Sequence, residues 1–235
     1  MRTISVLIAV LVCSVVLGCS HSQSTTSPSA QGNVPSMQGD VDQAATIIER
    51  FEAVPEKAIP QAVLRDARGL GIMTVIRGAF GFSGQAGKGV VVARTRNGWS
   101  GPSAIGTGGA GFGLQIGGEV TEFVMVLNTD AAVQAFSRDI NITLGGDISV
   151  AAGPIGRTAE AALTPIAAIY TYSRSQGLFA GISLQGAIIG ARDDANAEYY
   201  GRRVAPADIL SGRVPPPPGA TRLVQVLTNQ TYARR

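Results

Sequence analysis

Residues 89–127 read GVVVARTRNGWSGPSAIGTGGAGFGLQIGGEVTEFVMVL, and this stretch decides the fold class of the chain. Apolar and polar residues alternate on both sides of Asn97-Gly98, and this dipeptide between alternating runs is the strongest short signal for a β-hairpin. Glycines inside such runs are typical of bulges, sharp bends and close backbone approach. The stretch therefore predicts a curved antiparallel sheet.

The two-residue period extends to both sides of this stretch, and other segments have the period of a helix. The predicted strands are 71–77, 79–86, 89–96, 99–107, 110–117, 120–127, 141–151, 167–173 and 178–189. The predicted helices are 40–54, 60–68, 129–138, 194–199 and 206–211, whereas 222–227 fits either period. Many strands with few helices indicate an α+β fold: an antiparallel β-rich barrel or sandwich with a few short peripheral helices.

The first 18 residues form a separate segment that belongs to export rather than to the fold. A positive Arg2, an apolar run over 4–17 and the small residue Gly18 are typical of a secretory signal. The run is shorter than the roughly 20 residues of a membrane-spanning helix. The residues Val16-Leu17-Gly18-Cys19 resemble the lipobox of bacterial lipoproteins, in which cleavage precedes acylation of the cysteine. The sequence thus predicts lipidation of Cys19, with an ordinary secreted protein or an uncleaved anchor as the alternative.

The residues after Cys19 are rich in Ser, Thr, Gln, Gly and Pro and contain little that a core could bury. Such a composition predicts a flexible tether, and about 20 residues of random coil reach on the order of 25 Å. We therefore predict a signal peptide over 1–18, a tether over 19–39 and one domain over 40–235. Acylation at Cys19 would place the domain at the outer membrane or at the periplasmic face of a bacterial membrane.

The composition excludes several classes of chemistry. The single histidine, His21, lies in the predicted tether, and Cys13 and Cys19 both precede the domain. No nucleophile–histidine pair is therefore available to the domain, and we predict neither an enzyme nor a cofactor. The formal net charge is only +3, and the sequence lacks the dense basic face of a nucleic-acid binder. Residues 106–111 match G-x-G-x-x-G, but alternating residues follow them where a dinucleotide site needs a helix.

The acidic residues give weak signals. Glu119 and Glu122 flank the start of the predicted strand 120–127, and residues three apart in a strand point to opposite faces, so we expect both to be solvated. A run of Asp193, Asp194, Asn196 and Glu198 fits the acidic first turn of a helix. A hard-cation site formed by Asp194, Asn196 and Glu198 is the weaker alternative.

Three blocks of the sequence resemble the SYLF domain family. The blocks are GFSGQAGKGVVVARTRNGWSGPSAIGTGGAGFGLQIGGEVTEFVMVLN (81–128), ITLGGDISVAAGPIGR (142–157) and IYTYSRSQGLFAGISLQGAIIGARDDANAEYYG (169–201). They occur in the family order within a similarity that runs from about Asp40 to the C-terminus. The resemblance implies lipid binding, to phosphoinositides in eukaryotic members, and association with actin in some fungal members.

Basic side chains are the candidates for meeting a lipid headgroup, because guanidinium groups pair bidentately with phosphate. Arginines at strand ends could ring one mouth of the sheet, although ordinary solvated strand ends would give the same pattern. The aromatic residues, Phe80 and Phe82 among them, are expected in the core, and Trp99 fits either the core or a membrane interface. The candidate lipid-binding residues are Arg77, Lys88, Arg94, Arg96, Arg157, Arg174, Arg192 and Trp99.

These observations predict a membrane-anchored lipoprotein whose domain binds anionic phospholipid without catalysis. The expected partner is a phospholipid or membrane surface, with a second envelope protein as a further possibility and no nucleic acid. Actin enters only by analogy with the family. The alternative is a structural or protein-interaction module of the envelope that has no lipid ligand.

Overall fold

The computed structural model describes residues 37–54, 58–138, 141–154, 167–177, 184 and 186–232. The helices are α1 (Met37–Glu52), α2 (Gln61–Asp66), α3 (Asp130–Phe136), α4 (Asp193–Tyr200), α5 (Pro206–Leu210) and α6 (Thr221–Tyr232). The strands are β1 (Gly69–Thr95), β2 (Gly98–Trp99), β3 (Ser103–Leu127), β4 (Ile142–Thr143), β5 (Val150–Ala152), β6 (Ile169–Gly177) and β7 (Ile188–Ala191). The predicted α+β class is confirmed.

Strands β1 and β3 dominate the fold as one long antiparallel ribbon. They pair from Gly69 opposite Leu127 to Val91 opposite Ser103. The prediction of three strands on each side was wrong, because the glycines expected to end them remain in the ladder, with Gly78 directly opposite Gly118. A glycine lets the backbone bend without steric cost, so it marks a change of direction here rather than an end.

The ribbon bends in its middle, and its two halves then pack against each other. The register shifts between Phe80 and Phe82, which is the mark of a bulge. At the far end of both halves, the backbone N–H of Arg94 donates to the carbonyl of Arg68 at 2.7 Å. A Cβ atom on Gly89 would overlap the carbonyl oxygen of Ile72, so only glycine fits where the halves cross.

The remaining strands extend this ribbon into a curled, mostly antiparallel sheet. Within the described residues the sheet has seven strands in the order β2-β1-β3-β6-β5, with β7 paired to both β3 and β4. The pair of β5 and β6 is parallel. The predicted strand over 141–151 was too long, because a turn with a positive φ at Gly145 separates β4 from β5. Of the predicted strand 178–189, residues 178–183 and 185 lie outside the described residues, and β7 begins at Ile188.

The hairpin signal at Asn97-Gly98 is confirmed. Thr95 pairs with Gly98, and Gly98 has a φ of 112°, in the region that favours glycine. Thr129 is the N-cap of α3, because its side chain accepts a hydrogen bond from the N–H of Ala132 at 3.1 Å. The segment 222–227, which fitted either period, lies within helix α6.

Alternation along the strands produces two hydrophobic cores, one on each face of the sheet. The face covered by α1 and α6 contributes Leu70, Ile72, Val90, Val92, Val124 and Val126. The inner face contributes Met73, Val75, Val91, Phe123, Met125 and Leu127. Helix α1 begins at Met37, before the predicted start at Asp40, and Met37 is 2% exposed against the first core. In the described part of the chain, no helix has both the length and the apolar character needed to cross a membrane.

Candidate functional site

The described candidates for lipid binding are distributed over several places on the domain. Lys88 and Arg192 converge on Asp40, a carboxylate of α1 whose side chain is only 4% exposed. The Nζ atom of Lys88 lies 3.2 Å from Oδ1, and Nη1 of Arg192 lies 2.8 Å from Oδ2. These two bases therefore join α1 to β1 and to the residue before α4. Arg157 and Cys19 lie outside the described residues.

Arg94, Arg96 and Trp99 lie together at the hairpin end of the ribbon. With Arg68 they line an open cleft of about 1350 Å³. The Trp99 side chain belongs to the core, where it is 5% exposed, and the Arg94 guanidinium lies 4.2 Å from the centroid of its ring. A cation over an indole face is electrostatically favourable, so this contact holds Arg94 at the rim of the cleft.

Arg174 lies on β6 directly opposite Glu122 of β3. The side chain of Glu122 forms an ion pair with Arg50 of α1, and Arg174 donates to the carbonyl of Arg50 at 3.4 Å. The expectation that Glu119 and Glu122 remain solvated was wrong, because they are 2% and 5% exposed. Helix α1 covers Glu122, because Gln43 and Arg50 both contact its carboxylate. The Glu119 carboxylate accepts a hydrogen bond from the Thr121 hydroxyl at 3.1 Å.

An exposed apolar surface lies where the ribbon bends, and we call it the elbow patch: Ile76, Phe80, Ile116 and Val120. Their exposed fractions are 58%, 80%, 73% and 42%. Ile76 lies directly opposite Val120, and Phe80 lies directly opposite Ile116, so the four share one face. Alternation places them on the face that α1 and α6 cover further along the strands. The expectation that Phe80 belongs to the core was therefore wrong, because it lies beyond the covered part of this face.

The strands that form and flank the elbow patch expose no carboxylate. Strands β1 and β6 contain no Asp or Glu, and the two glutamates of β3 are buried. Arg174 lies on the same face as the patch, because it is opposite Glu122, two residues from Val120. Arg77 lies one residue from Ile76 on the other face, and its Nη2 atom donates to Oε1 of Gln85 at 2.9 Å. The strands around the patch thus present bases but no exposed carboxylate.

The acidic run at 193–198 has a structural explanation. Asp193 and Asp194 form the first turn of α4, as expected for an acidic helix start. Asn196 is fully buried, where its Oδ1 accepts from the N–H of Ala104 at 2.8 Å and its Nδ2 donates to Ser103. This amide is therefore used to attach α4 to β3 and points away from Asp194 and Glu198. Among the described residues, no three His, Cys, Asp or Glu side chains gather in a way that could hold a metal ion.

Sequence reasoning missed the elbow patch. The signal that could have found it is the pair of glycine-spaced apolar residues, Ile76-x-Gly78-x-Phe80, matched by Ile116-x-Gly118-x-Val120. Glycine at the centre of both strands leaves nothing to fill the space between the apolar pairs. Such a spacing fits a tightly packed core less well than an exposed surface that another molecule contacts.

Known proteins resemble this chain over most of its length. A model of the Ysc84 family, described as Las17-binding protein actin regulator, matches residues 108–230. LAS seventeen-binding protein 3 of Saccharomyces cerevisiae is 45% identical over 210 residues, which is 85% of this chain and 46% of the yeast protein. Protein YSC84 of the same yeast is 44% identical over 207 residues, 84% of this chain and 44% of that protein. SH3 domain-containing YSC84-like protein 1 of Homo sapiens is 42% identical over 207 residues, which is 84% of this chain and 60% of the human protein. The chain thus spans about half the length of these relatives.

Proposed function

The chain belongs to the Ysc84 (SYLF) family, and from this premise we propose that it binds the surface of an anionic membrane without catalysing a reaction. The observation that carries the proposal is the charge of the sheet around the elbow patch. Near the patch, the strands β1, β3 and β6 carry the half-buried Arg77 and Arg174 and expose no carboxylate. Such a one-sided charge attracts an anionic surface, and the attraction weakens as salt is added.

The proposal includes attachment to a bacterial membrane through an acylated Cys19. The acylated cysteine would hold the domain at the bilayer, and the domain would add a contact of its own. The predicted tether, with a reach on the order of 25 Å, is long enough for the domain to touch the membrane that holds it. The expected location is the outer membrane or the periplasmic face of a bacterial membrane.

A vesicle experiment tests the proposed function. Residues 20–235, which lack the acylated cysteine, are mixed with vesicles of phosphatidylglycerol and phosphatidylethanolamine, or with vesicles of phosphatidylcholine alone, and floated on a density gradient. We expect flotation with the anionic vesicles at low salt and weaker flotation at about 0.5 M salt, where charges are screened beyond a few ångströms. If the protein remained unbound with both vesicles at every salt concentration, the proposal would be wrong.

A second candidate function is a protein-interaction module, and the names of the relatives favour it. The family description names Las17 binding and actin regulation, and yeast relatives are named for binding LAS seventeen. For this chain, actin is an analogy, and an envelope protein is the corresponding partner. Isolation of the acylated protein with one stoichiometric protein partner, together with failure to bind vesicles, would favour this function over lipid binding.

A further inference from the structure

We propose that the elbow patch is a membrane-inserting wedge: Phe80 and Ile116, with Ile76 and Val120 behind them, enter the boundary between headgroups and acyl chains. This inference rests on the proposed binding to a membrane surface and adds the part of the domain that enters it. The patch is distinct from the cleft lined by Arg94 and Arg96, and from the two bases that bind Asp40.

The geometry of the ribbon favours insertion. The side chains of Phe80 and Ile116 are 80% and 73% exposed, and they face each other across the two strands next to the bulge. Ile76 and Val120 form the second cross-strand pair on the same face, and Gly78 opposite Gly118 separates the two pairs. The most exposed apolar pair is thus the one nearest the bend, and exposure decreases towards the helices.

The charges on this face complement a bilayer. At the inner border of the patch, Arg50 forms an ion pair with Glu122, and its side chain is 44% exposed. Arg174 lies opposite Glu122 and donates to the carbonyl of Arg50, so two arginines and one carboxylate give this border a net positive charge. Apolar side chains at a tip with arginines behind them match the layers of a bilayer, because the arginines can remain at the phosphates while the apolar groups go deeper. An exposed carboxylate on these strands would oppose this placement, and β1, β3 and β6 have none.

A bilayer fits the size of the patch better than a protein does. A standard protein interface uses about 20–30 residues on each side, whereas the elbow patch consists of two pairs of side chains on a narrow ribbon. Insertion into lipid requires no matching surface, and each apolar side chain gains by leaving water. We therefore commit to lipid as the occupant, and a second copy of this chain or another protein becomes an outcome of the experiment.

Insertion at the bend fixes which end of the domain faces the membrane. About 35 Å of extended strand separates Phe80 from Gly69, where the two halves of the ribbon end together. Arg94 and Arg96 lie at that other end, beside the cleft. When the elbow patch is in the bilayer, the cleft faces away from it. The candidates Arg94 and Arg96 are therefore not lipid contacts in this orientation, whereas Arg174 is.

Fluorescence of the full chain tests the insertion. Trp99 is the single tryptophan of the chain and is buried in the core, so it gives a constant background. The variant Phe80→Trp adds a second indole at the elbow, and Ile188→Trp adds one at an exposed apolar site on β7, outside the patch. Both proteins are reconstituted into vesicles of phosphatidylglycerol and phosphatidylethanolamine, with and without lipids brominated near the headgroup.

We expect emission of Phe80→Trp to shift to shorter wavelength with vesicles and to be quenched by the brominated lipids, while Ile188→Trp and the unchanged chain show neither effect. Equal behaviour of the two variants would overturn the wedge even if the protein binds vesicles. A blue shift that needs only a higher protein concentration, with no lipid, would show that a second copy covers the patch and would also overturn it.

A binding measurement separates failure of the wedge from failure of the proposed function. In flotation at about 0.5 M salt, where charge attraction is screened, we expect Phe80→Ser combined with Ile116→Ser to weaken binding about tenfold or more, as loss of two apolar anchors implies. The matched variant Ile188→Ser should change it less than twofold. Undiminished binding by the double variant overturns the wedge alone, and so does binding of the unchanged chain at low salt with none at about 0.5 M. Absence of binding by the unchanged chain at every salt concentration overturns the proposed function.

Discussion

Asp40 and Arg192 form an ion pair of 2.8 Å that joins the first turns of α1 to the residue before α4, across 152 positions of sequence. The carboxylate is 4% exposed, and Lys88 binds its other oxygen at 3.2 Å. Two bases thus share one buried acid. Both bases were candidates for lipid binding from the sequence, and both are held within the protein by this carboxylate.

We expect Asp40→Asn to destabilise the domain, because it leaves Lys88 and Arg192 close together without the carboxylate between them. Removal of one partner from a buried pair costs about 3–5 kcal/mol, and the partial exposure of the two bases reduces this to about 2–3 kcal/mol. The melting temperature should fall by about 5–10 °C in a thermal unfolding experiment. The control is Asp42→Asn on the exposed side of the same helix, which should change the melting temperature by less than about 2 °C. Equal effects of the two variants would contradict this role of Asp40.

We expect Gly89→Ala to prevent folding or to lower the free energy of unfolding by about 3 kcal/mol or more. The added methyl group meets the backbone at a point where neither half of the ribbon can move away. The matched variant is Gly84→Ala, since a Cβ at Gly84 has no neighbour within 4 Å. That variant should be neutral within about 0.5 kcal/mol. Soluble yield and urea unfolding measure both. A stable Gly89→Ala protein would show that the halves do not cross as described.

Local signals predicted much of this fold, and the errors have a common cause. The turn before Gly98 and the cap at Thr129 depend on neighbouring residues, so a few letters of sequence contain them. The continuity of β1 through Gly78 depends on its pairing with Gly118, about 40 residues away on β3, which no local pattern reveals. Glycine-rich segments are compatible with both a break and a bend, and only the partner strand decides between them.

The candidate site could be predicted only in part for the same reason. The sequence identifies which residues are basic, but the partner of Lys88 and Arg192 lies on a distant helix. The exposure of Phe80 depends on how far the covering helices reach along the sheet, which is a property of packing. Alternation alone places Phe80 on the same face as Ile72, which is completely buried.

The adjacent tyrosines at the end of α4 should respond oppositely to loss of their hydroxyl groups. The Tyr200 hydroxyl donates to the carbonyl of Pro102 at 2.9 Å, whereas the buried Tyr199 hydroxyl has no hydrogen-bond partner among the described residues. We expect Tyr200→Phe to cost about 1 kcal/mol of unfolding free energy, and Tyr199→Phe to be neutral or slightly stabilising. Urea unfolding at pH 7 measures both. A larger loss for Tyr199→Phe than for Tyr200→Phe would contradict this difference.

Alkaline pH should reduce the stability of the domain through Tyr199. Burial, with a smaller contribution from the charge of Asp42, raises the pKa of Tyr199 from 10.0 to about 12. Above pH 10 the unfolded chain releases this proton while the folded chain retains it, so the free energy of unfolding falls as pH rises towards 12. Burial raises the pKa of Tyr172 and Tyr200 in the same direction. We expect Tyr199→Phe to show a shallower decline over this range in urea unfolding, and an unchanged decline would contradict the assignment.

The orientation of the domain on a bilayer can be tested with two arginines of equal charge. Arg174 lies on the face of the elbow patch, and Arg96 lies at the cleft on the other end of the ribbon. A phosphate contact near a membrane surface is worth about 1 kcal/mol for each base. We therefore expect Arg174→Gln to weaken flotation with phosphatidylglycerol vesicles at low salt about fivefold, and Arg96→Gln to change it less than twofold. Unfolding free energies of both variants identify any loss that comes from misfolding. If Arg96→Gln gave the larger loss, the cleft would face the lipid, and the elbow patch would then point into solvent.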